Sequence, residues 1–213
     1  LDFKSGQYIQ SVWKAHTDGL YPDSLEVRFR SPKSQDQVIL QKNSDWAISL
    51  EDNGATDELG RIRFTISGSD GQVNFVTSSL LPFYNDDMWS VMLTRKAGAN
   101  RTDGLLEGNE ITNDMILSQS VYEITAKQYD STRQRIIYQE SQSLTSHTAS
   151  LSSDSNNVSG SKINAAFTSS GHVFLGGSGS SFSTNLFTGS LMEYRLWSEP
   201  LSQSVFDNHV TAP

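Results

Sequence analysis

Alternation of apolar and polar residues with a period of two is the main pattern along this chain. From Leu25 to Arg30 every second residue is apolar and the others are charged, which predicts a strand with one buried face and a polar face in water. The stretch from Asp45 to Asp52 alternates in the same way and stops at Asn53-Gly54, a pair that favours a tight turn. Further strands are predicted at Gln37–Lys42, at Ile62–Ile66 and Val73–Phe75 on either side of Asp70-Gly71, and at Met88–Arg95, Val121–Tyr129, Arg135–Leu144 and His172–Gly177. Many strands joined by short turns are typical of an all-β sandwich.

The C-terminal residues leave this pattern and predict a short helix. Ser202 is a good N-cap, and Leu201 and Phe206 have the spacing of a hydrophobic staple. A helix of one or two turns is not stable alone, so it is expected to dock on the sandwich. We therefore predict that residues 1–213 form one all-β domain, a two-sheet antiparallel β-sandwich of the jelly-roll class with a short C-terminal helix. Residues 97–114 and the serine-rich 141–161 are predicted to be loop insertions, with a ligand-contacting arm as the alternative for the second.

Composition and charge exclude several classes of partner. The chain has 213 residues, no cysteine and a formal net charge of -8, with a pI near 4.9. Without cysteine it has neither disulfides nor thiolate zinc sites. An acidic surface repels phosphate backbones and anionic lipids, so nucleic acid and membrane partners are not expected. No run of about 18 apolar residues predicts a membrane span. Because the chain begins at Leu1 and no signal peptide is visible, it is expected to be cut from a longer protein.

The stretch FTGSLMEYRLWSEPLSQSVFDNH, residues 187–209, resembles the closing signature of laminin-G-like, concanavalin A-like jelly-roll domains. Earlier pieces resemble further strands of this family in the same order: SLEVRFRSP, DWAISLEDNG, DDMWSVMLTR and GHVFLGG. Ser90 departs from the family pattern, because many members have His after the tryptophan. The pair of strands from Val121 to Gln139 lacks the family's frequent Y-x-N-G hairpin, which puts any ligand of that loop in doubt. The ending EYRLWSEPLSQSVFDNHVTAP also resembles such domains in structural proteins of phages and other viruses, which implies an extracellular or virion-surface location.

Catalysis is not expected from these residues. Glycoside hydrolases of this fold use two carboxylates about 5–5.5 Å apart, supplied by E-x-D-x-x-E on one strand, and this pattern is absent. The acid pairs Glu51-Asp52, Asp57-Glu58 and Asp86-Asp87 fall instead at predicted turns and strand ends. No G-x-S-x-G motif marks a nucleophile.

Candidate ligand residues come from aromatic and acidic side chains in predicted loops. A sugar site needs an aromatic plate with a few polar groups, and the stretch Leu81–Asp87 offers the densest cluster. The predicted sugar-binding residues are Phe83, Tyr84, Asn85, Asp86, Asp87, Trp13 and Tyr21. Calcium is the metal expected if any binds, because it prefers hard oxygen ligands. Its predicted ligands are Asp18, Asp23, Asp86 and Asp87. The alternatives are a packed connection for Leu81–Asp87 and ordinary turn caps for the acids.

Three functions remain open from the sequence. The leading hypothesis is a non-catalytic recognition module that binds cell-surface carbohydrate, within a larger extracellular or virion protein. The second is a structural or decoration domain that contacts a neighbouring protein chain, and the third is a glycoside hydrolase with an altered site. A lectin should expose aromatic side chains at one loop end, whereas a decoration domain should expose an apolar patch or a free edge strand. A hydrolase should hold two close carboxylates in a groove.

Overall fold

A computed structural model describes residues 1–4, 7–15, 21–32, 35–54, 58–67, 73–97, 120–146, 167, 169–177, 182 and 185–212. These residues form twelve strands and one helix: β1 (Asp2–Phe3), β2 (Ile9–Trp13), β3 (Ser24–Arg30), β4 (Gln37–Lys42), β5 (Trp46–Asp52), β6 (Gly60–Ser67), β7 (Val73–Thr77), β8 (Trp89–Ala97), β9 (Ser120–Asp130), β10 (Arg135–Ser146), β11 (Gly171–Leu175), β12 (Gly189–Trp197) and α1 (Gln203–Thr211).

The strands form two six-stranded sheets in which all neighbouring strands are antiparallel. Sheet A has the order β1-β12-β3-β8-β9-β10, and sheet B has the order β2-β11-β4-β5-β6-β7. The predicted all-β, two-sheet sandwich of the jelly-roll class, with a short helix at its C-terminal end, is confirmed.

Apolar side chains at alternate positions of both sheets form the core. Because successive side chains of a strand point to opposite faces, one face of each strand supplies the interior. The inward residues Leu25, Val27 and Phe29 of β3 and Trp46, Ile48 and Leu50 of β5 are all inaccessible to solvent. Burial of each such side chain stabilises the fold by about 1.5–3 kcal/mol. The alternation seen in the sequence therefore reports the core correctly.

Helix α1 docks on the outer face of sheet A. Ser202 is its N-cap, and its side chain accepts a hydrogen bond from the Val205 N–H. Phe206 and Val210 are buried in a small apolar cluster with Met92 and Leu201. The helix is thus held by tertiary packing, as its length requires. Among the described residues, no helix combines the length and apolar character that a bilayer-spanning segment needs.

The docked helix overturns the expectation that the polar face of β3 lies in water. Glu26 and Arg28 point away from the core, yet they are only 4% and 8% exposed because α1 covers them. Burial of the Arg28 side chain lowers its pKa, and the nearby Glu193 carboxylate partly offsets this effect. A second charged side chain under the helix, Lys127 of β9, is fully buried and pairs with Asp207 of α1.

The predicted loop insertions fall mostly outside the described residues. Residues 98–114 are outside, and Ala97 ends β8. The prediction of a loop from residue 141 is wrong for its first six residues, because Ser141–Ser146 continue β10 in register with β9. The prediction was based on the serine-rich composition. Such a composition does not distinguish a loop from an edge strand, and β10 is an edge strand of sheet A. Residues 147–161 are outside the described part of the chain.

Candidate functional site

The predicted aromatic cluster at Leu81–Asp87 is a packed connection and not an exposed plate. Phe83 is fully buried, and its ring centroid lies 4.3 Å from that of Trp89. Tyr84 is also buried, its hydroxyl donates a hydrogen bond to the Gln35 carbonyl at 2.8 Å, and burial raises its pKa. The expected exposure of both rings is therefore wrong, because both pack into the core near the first residue of β8.

The polar residues that follow these rings shape a turn. Asp86 is exposed with a φ of 59°, and its carboxylate pairs with Arg30 at 3.4 Å. The Asn85 side chain accepts a hydrogen bond from the Asp87 N–H at 3.1 Å, which is the bonding of an Asx-type turn. The turn-cap alternative accounts for Asn85, Asp86 and Asp87 without a ligand.

Trp13 and Tyr21 do not form the expected exposed plate either. Trp13 is fully buried, and its Nε1 donates a hydrogen bond to the Phe167 carbonyl at 2.8 Å. Tyr21 is half-buried against the core, and its hydroxyl lies 3.0 Å from the Ser170 Oγ. The expected exposure of Trp13 is wrong because the indole fills the end of the core beside Trp46.

The predicted calcium ligands do not come together in the described residues. Asp23 is bonded to Arg95 at 2.8 Å, and Asp86 is paired with Arg30, so each carboxylate already has a cationic partner. Asp23 precedes β3 and Arg30 ends it, so the two loops lie roughly 20 Å apart along a seven-residue strand. Within the described ranges, no group of three or more acidic or histidine side chains is arranged to hold a metal. Asp18 lies outside these ranges.

A surface groove near the first strands is a better candidate site. Its lining residues are Leu1, Asp2, Phe3, Gln7, Tyr8 and Ile9, and its volume is about 390 Å³. This volume is within the range of about 300–1,000 Å³ that small-molecule sites occupy. We refer to these six residues as the Tyr8 groove.

An aromatic pair, one ring exposed and the other half-buried, lies beside the Tyr8 groove. Tyr8 is 50% exposed, and its ring meets the half-buried Phe174 of β11 edge-on, with centroids 5.5 Å apart and an interplanar angle of 74°. Gln10 of β2 lies opposite Phe174 across the strand pair, and the next outward position of β11 is the exposed His172. The outer face here thus offers a ring surface with an amide and an imidazole beside it.

One carboxylate lies in the wall of the Tyr8 groove. Asp2 accepts a hydrogen bond from the Ser190 hydroxyl, and this bond lowers the pKa of Asp2. The carboxylate is therefore ionised at neutral pH. Asp2 is the one acidic side chain among the described lining residues, and they contain no lysine or arginine.

This site was missed from the sequence although a signal was present. Residues 8–13, YIQSVW, alternate Tyr8, Gln10 and Val12 with Ile9, Ser11 and Trp13. If Trp13 belongs to the core, strand periodicity places Tyr8 on the opposite, outer face. Because Trp13 was predicted to be exposed, the outward direction of Tyr8 was not inferred.

Similarity to known proteins is found for this chain among solved structures and not among family models or curated proteins. No protein-family model matches the chain, and no curated protein matches it. Among solved structures, the chain is similar to the native heptameric SAP-like pentraxin from Limulus polyphemus, with 9% sequence identity and a TM-score of 0.47. The similarity covers 94% of this chain and 81% of that one. The two six-stranded antiparallel sheets and the short C-terminal helix define the molecule as a jelly-roll sandwich.

Proposed function

We propose that this domain is a non-catalytic recognition module that binds carbohydrate at the Tyr8 groove. The observation that carries the proposal is the edge-on contact of the exposed Tyr8 with the half-buried Phe174, on the same outer face as the exposed Gln10 and His172. The apolar C–H face of a sugar ring stacks on an aromatic ring, and neighbouring polar groups bond its hydroxyls.

The net charge of the whole protein favours neutral sugars over anionic ones. Asp2 is ionised in the wall, and the net charge of -8 repels anionic glycans such as those rich in carboxylates or sulfates. We further propose that the module belongs to a larger extracellular or virion protein. The resemblance of the stretch from Phe187 to His209 to laminin-G-like and viral domains supports this context.

A glycan array on the purified domain tests the proposal, run once with calcium and once with chelator. We expect binding to neutral glycans in both buffers, since the carboxylates of Asp23 and Asp86 are engaged by arginines. Tyr8→Ala and Phe174→Ala should each reduce binding by at least about tenfold, which corresponds to about 1.4 kcal/mol. Phe75→Ala is the matched control, because Phe75 is an equally exposed ring at the far edge of the same sheet.

Three results would count against this assignment. Absence of binding to every glycan in both buffers would reject carbohydrate recognition. Equal losses from Tyr8→Ala and Phe75→Ala would move the site away from the groove. Release of reducing sugar from a bound glycan would indicate the glycoside hydrolase alternative, although Asp2 is the one acid among the described lining residues.

Contact with a neighbouring protein chain is the second candidate function. It is favoured by exposed apolar side chains on both edge strands of sheet B: Ile9 and Val12 on β2, and Val73 and Phe75 on β7. Edge strands of this kind are sites of pairing with another chain.

A further inference from the structure

The connection after β5 contains the one Asn-Gly pair of the chain, Asn53-Gly54. Strand β5 ends at Asp52, which lies opposite Gly60 of β6, so the pair comes directly after the last paired residue of the strand. Gly54 is exposed and Asn53 is half-buried. In the part of the chain that the structure describes, the Asn53 side chain forms no hydrogen bond. Its amide is therefore not fixed by the sheet or by a neighbouring side chain.

Glycine at position 54 makes the next backbone nitrogen accessible to this amide. Gly54 has a φ of 68°, a left-handed conformation that glycine adopts without a steric penalty. A Cβ added here would meet no atom within 4 Å, so the space around the glycine is open. The Gly54 nitrogen and the Asn53 Cγ belong to adjacent residues, and proximity favours closing a ring between them. Asparagine is, in addition, one of the thermolabile residues of proteins.

A carboxylate is bonded to the same backbone nitrogen. Asp52 Oδ1 accepts a hydrogen bond from the Gly54 N–H at 3.1 Å. The backbone of Asp52 is fixed in turn, because its own N–H donates to Asp36 Oδ1 at 2.7 Å. The N–H of a peptide lies in the peptide plane, whereas its nitrogen reacts through the face of that plane. Asp52 is thus placed to take the proton of Gly54 without blocking the nitrogen.

We propose that Asn53 is a site of spontaneous deamidation in which Asp52 acts as the base. The Gly54 nitrogen attacks the Asn53 Cγ while Asp52 accepts the proton of that N–H, and a succinimide ring forms. The bond from Cγ to the side-chain nitrogen breaks, and the proton held by Asp52 leaves with that nitrogen as ammonia. Water then adds to one of the two ring carbonyls, and ring opening leaves aspartate or isoaspartate at position 53.

Other described asparagines lack this combination. Asn43 Oδ1 accepts a hydrogen bond from the His172 N–H at 3.4 Å, and the Asn85 side chain accepts one from the Asp87 N–H at 3.1 Å. Each of these two asparagines is also followed by a residue with a side chain, which crowds the attacking nitrogen. Asn53 therefore differs from them in its unbonded amide, in the glycine that follows it and in the carboxylate on that nitrogen.

The modification changes both the charge and the backbone of this connection. It adds one negative charge to a protein whose net charge is -8, and the new carboxylate arises next to Asp52. Isoaspartate also lengthens the main chain by one carbon between β5 and β6. The Tyr8 groove is lined by residues of and beside β1 and β2, so binding there should not change as the protein ages.

Peptide mapping of the whole domain by mass spectrometry, after incubation at mildly alkaline pH for a series of times, tests the proposal. Cleavage after Lys42 and Arg61 releases Asn43 and Asn53 in one peptide, so Asn43 is an internal reference. We expect conversion at position 53 to be at least about tenfold faster than at position 43. The aged protein should also contain a species that migrates with the variant Asn53→Asp in isoelectric focusing.

Asp52→Ser tests the base, because serine retains a hydrogen-bond acceptor but does not take the proton. This variant should convert at least about tenfold more slowly, since a positioned general base typically contributes a factor of about 100 or more. Asp36→Asn is the matched control: it removes a nearby negative charge, retains an acceptor for the Asp52 N–H and should leave the rate unchanged. If Asp52→Ser fails to fold, the wild-type protein in urea replaces it, because unfolding removes the bond to Gly54 and should slow the conversion.

The outcomes separate the site from its base. Absence of conversion at position 53, or equal rates at positions 43 and 53, would overturn the assignment of the site. An unchanged rate in Asp52→Ser, or in urea where that variant does not fold, would overturn the role of Asp52. Equal slowing in Asp52→Ser and Asp36→Asn would show that negative charge around the connection, and not a base on Gly54, sets the rate.

Discussion

In helix α1, His209 shares its Nδ1 between the two carboxylate oxygens of Glu26 on β3, at 2.8 and 3.1 Å. The indole Nε1 of Trp197 donates to the same carboxylate at 3.2 Å, and the Trp197 ring stacks on His209 with centroids 5.4 Å apart. One buried carboxylate thus ties together β3, β12 and the helix. Because Glu26 is almost inaccessible to water, these bonds replace its hydration.

Glu26→Gln should therefore destabilise the protein although the two side chains have the same shape. The amide of glutamine is neutral, and an NH2 donor replaces one of the two oxygens that accept hydrogen bonds from His209 and Trp197. We therefore expect a loss of about 1–3 kcal/mol in the free energy of unfolding. Urea denaturation followed by tryptophan fluorescence measures it. Glu199→Gln, a change at an exposed position, should alter stability by less than about 0.5 kcal/mol. Equal stability of the two variants would show that the Glu26 carboxylate does not hold the helix.

The strands and the docking of the helix could be predicted from the sequence, whereas the face on which the helix docks could not. Alternation of Leu25, Val27 and Phe29 identifies the core face of β3 whatever lies on its other side. The burial of Glu26 and Arg28 depends on residues more than 170 positions later in the chain, and their charge alone indicated a face in water. Alternation along a strand shows which side chains share a face, but it does not show which element covers that face.

Trp13→Ala should lower the stability of the protein, because Trp13 belongs to the core and not to a binding site. The indole packs on Trp46 and Phe167 and donates to the Phe167 carbonyl, so its removal leaves a cavity and a carbonyl without its partner. We expect a loss of about 3–5 kcal/mol. Thermal and urea unfolding measure the loss, and Tyr8→Ala serves as a control that should leave stability nearly unchanged. A Trp13→Ala protein with native stability would restore the interpretation of Trp13 as an exposed residue.

The candidate site was predictable only in its general chemistry. Aromatic and polar residues were sought in loops, but Phe83 and Tyr84 show that a loop of this composition packs into the core when a large indole such as Trp89 lies beside it. The Tyr8 groove depends on the position of β1 beside β12 and of β2 beside β11. These pairings join residues more than 150 positions apart, and no local signal specifies them.

Asp23→Asn tests whether calcium or an arginine is the partner of this carboxylate. Asp23 and Arg95 lie 2.8 Å apart and are both largely buried, so we expect a loss of about 1–3 kcal/mol that is the same with calcium and with chelator. Arg95→Gln should produce a comparable loss. Urea unfolding of both variants in the two buffers provides the measurement. A loss for Asp23→Asn that appears only when calcium is present would identify Asp23 as a metal ligand and reject this prediction.

Glu140 should make the stability of the protein depend on pH in the acid range. It accepts hydrogen bonds from the Ser79 N–H at 2.6 Å, from the Ser79 hydroxyl and from Gln142 at 2.9 Å. Partial burial raises its pKa, but these bonds and the nearby Arg61 outweigh that effect and hold the pKa below its ordinary value of 4.5. A carboxyl whose pKa is lowered by folding stabilises the protein above its unfolded pKa, and this contribution disappears as the pH falls through the folded value.

Glu140→Gln should consequently cost about 1 kcal/mol or less at neutral pH, since the pair is solvent-exposed, and almost nothing well below pH 4.5. Urea unfolding of wild type and variant at a series of pH values gives this difference directly. Ser79→Ala removes the hydroxyl donor while leaving the backbone donor, so it should show a smaller difference with the same pH dependence. A Glu140→Gln loss that stays constant into acid would mean that packing, and not the ionised carboxylate, links β10 to Ser79.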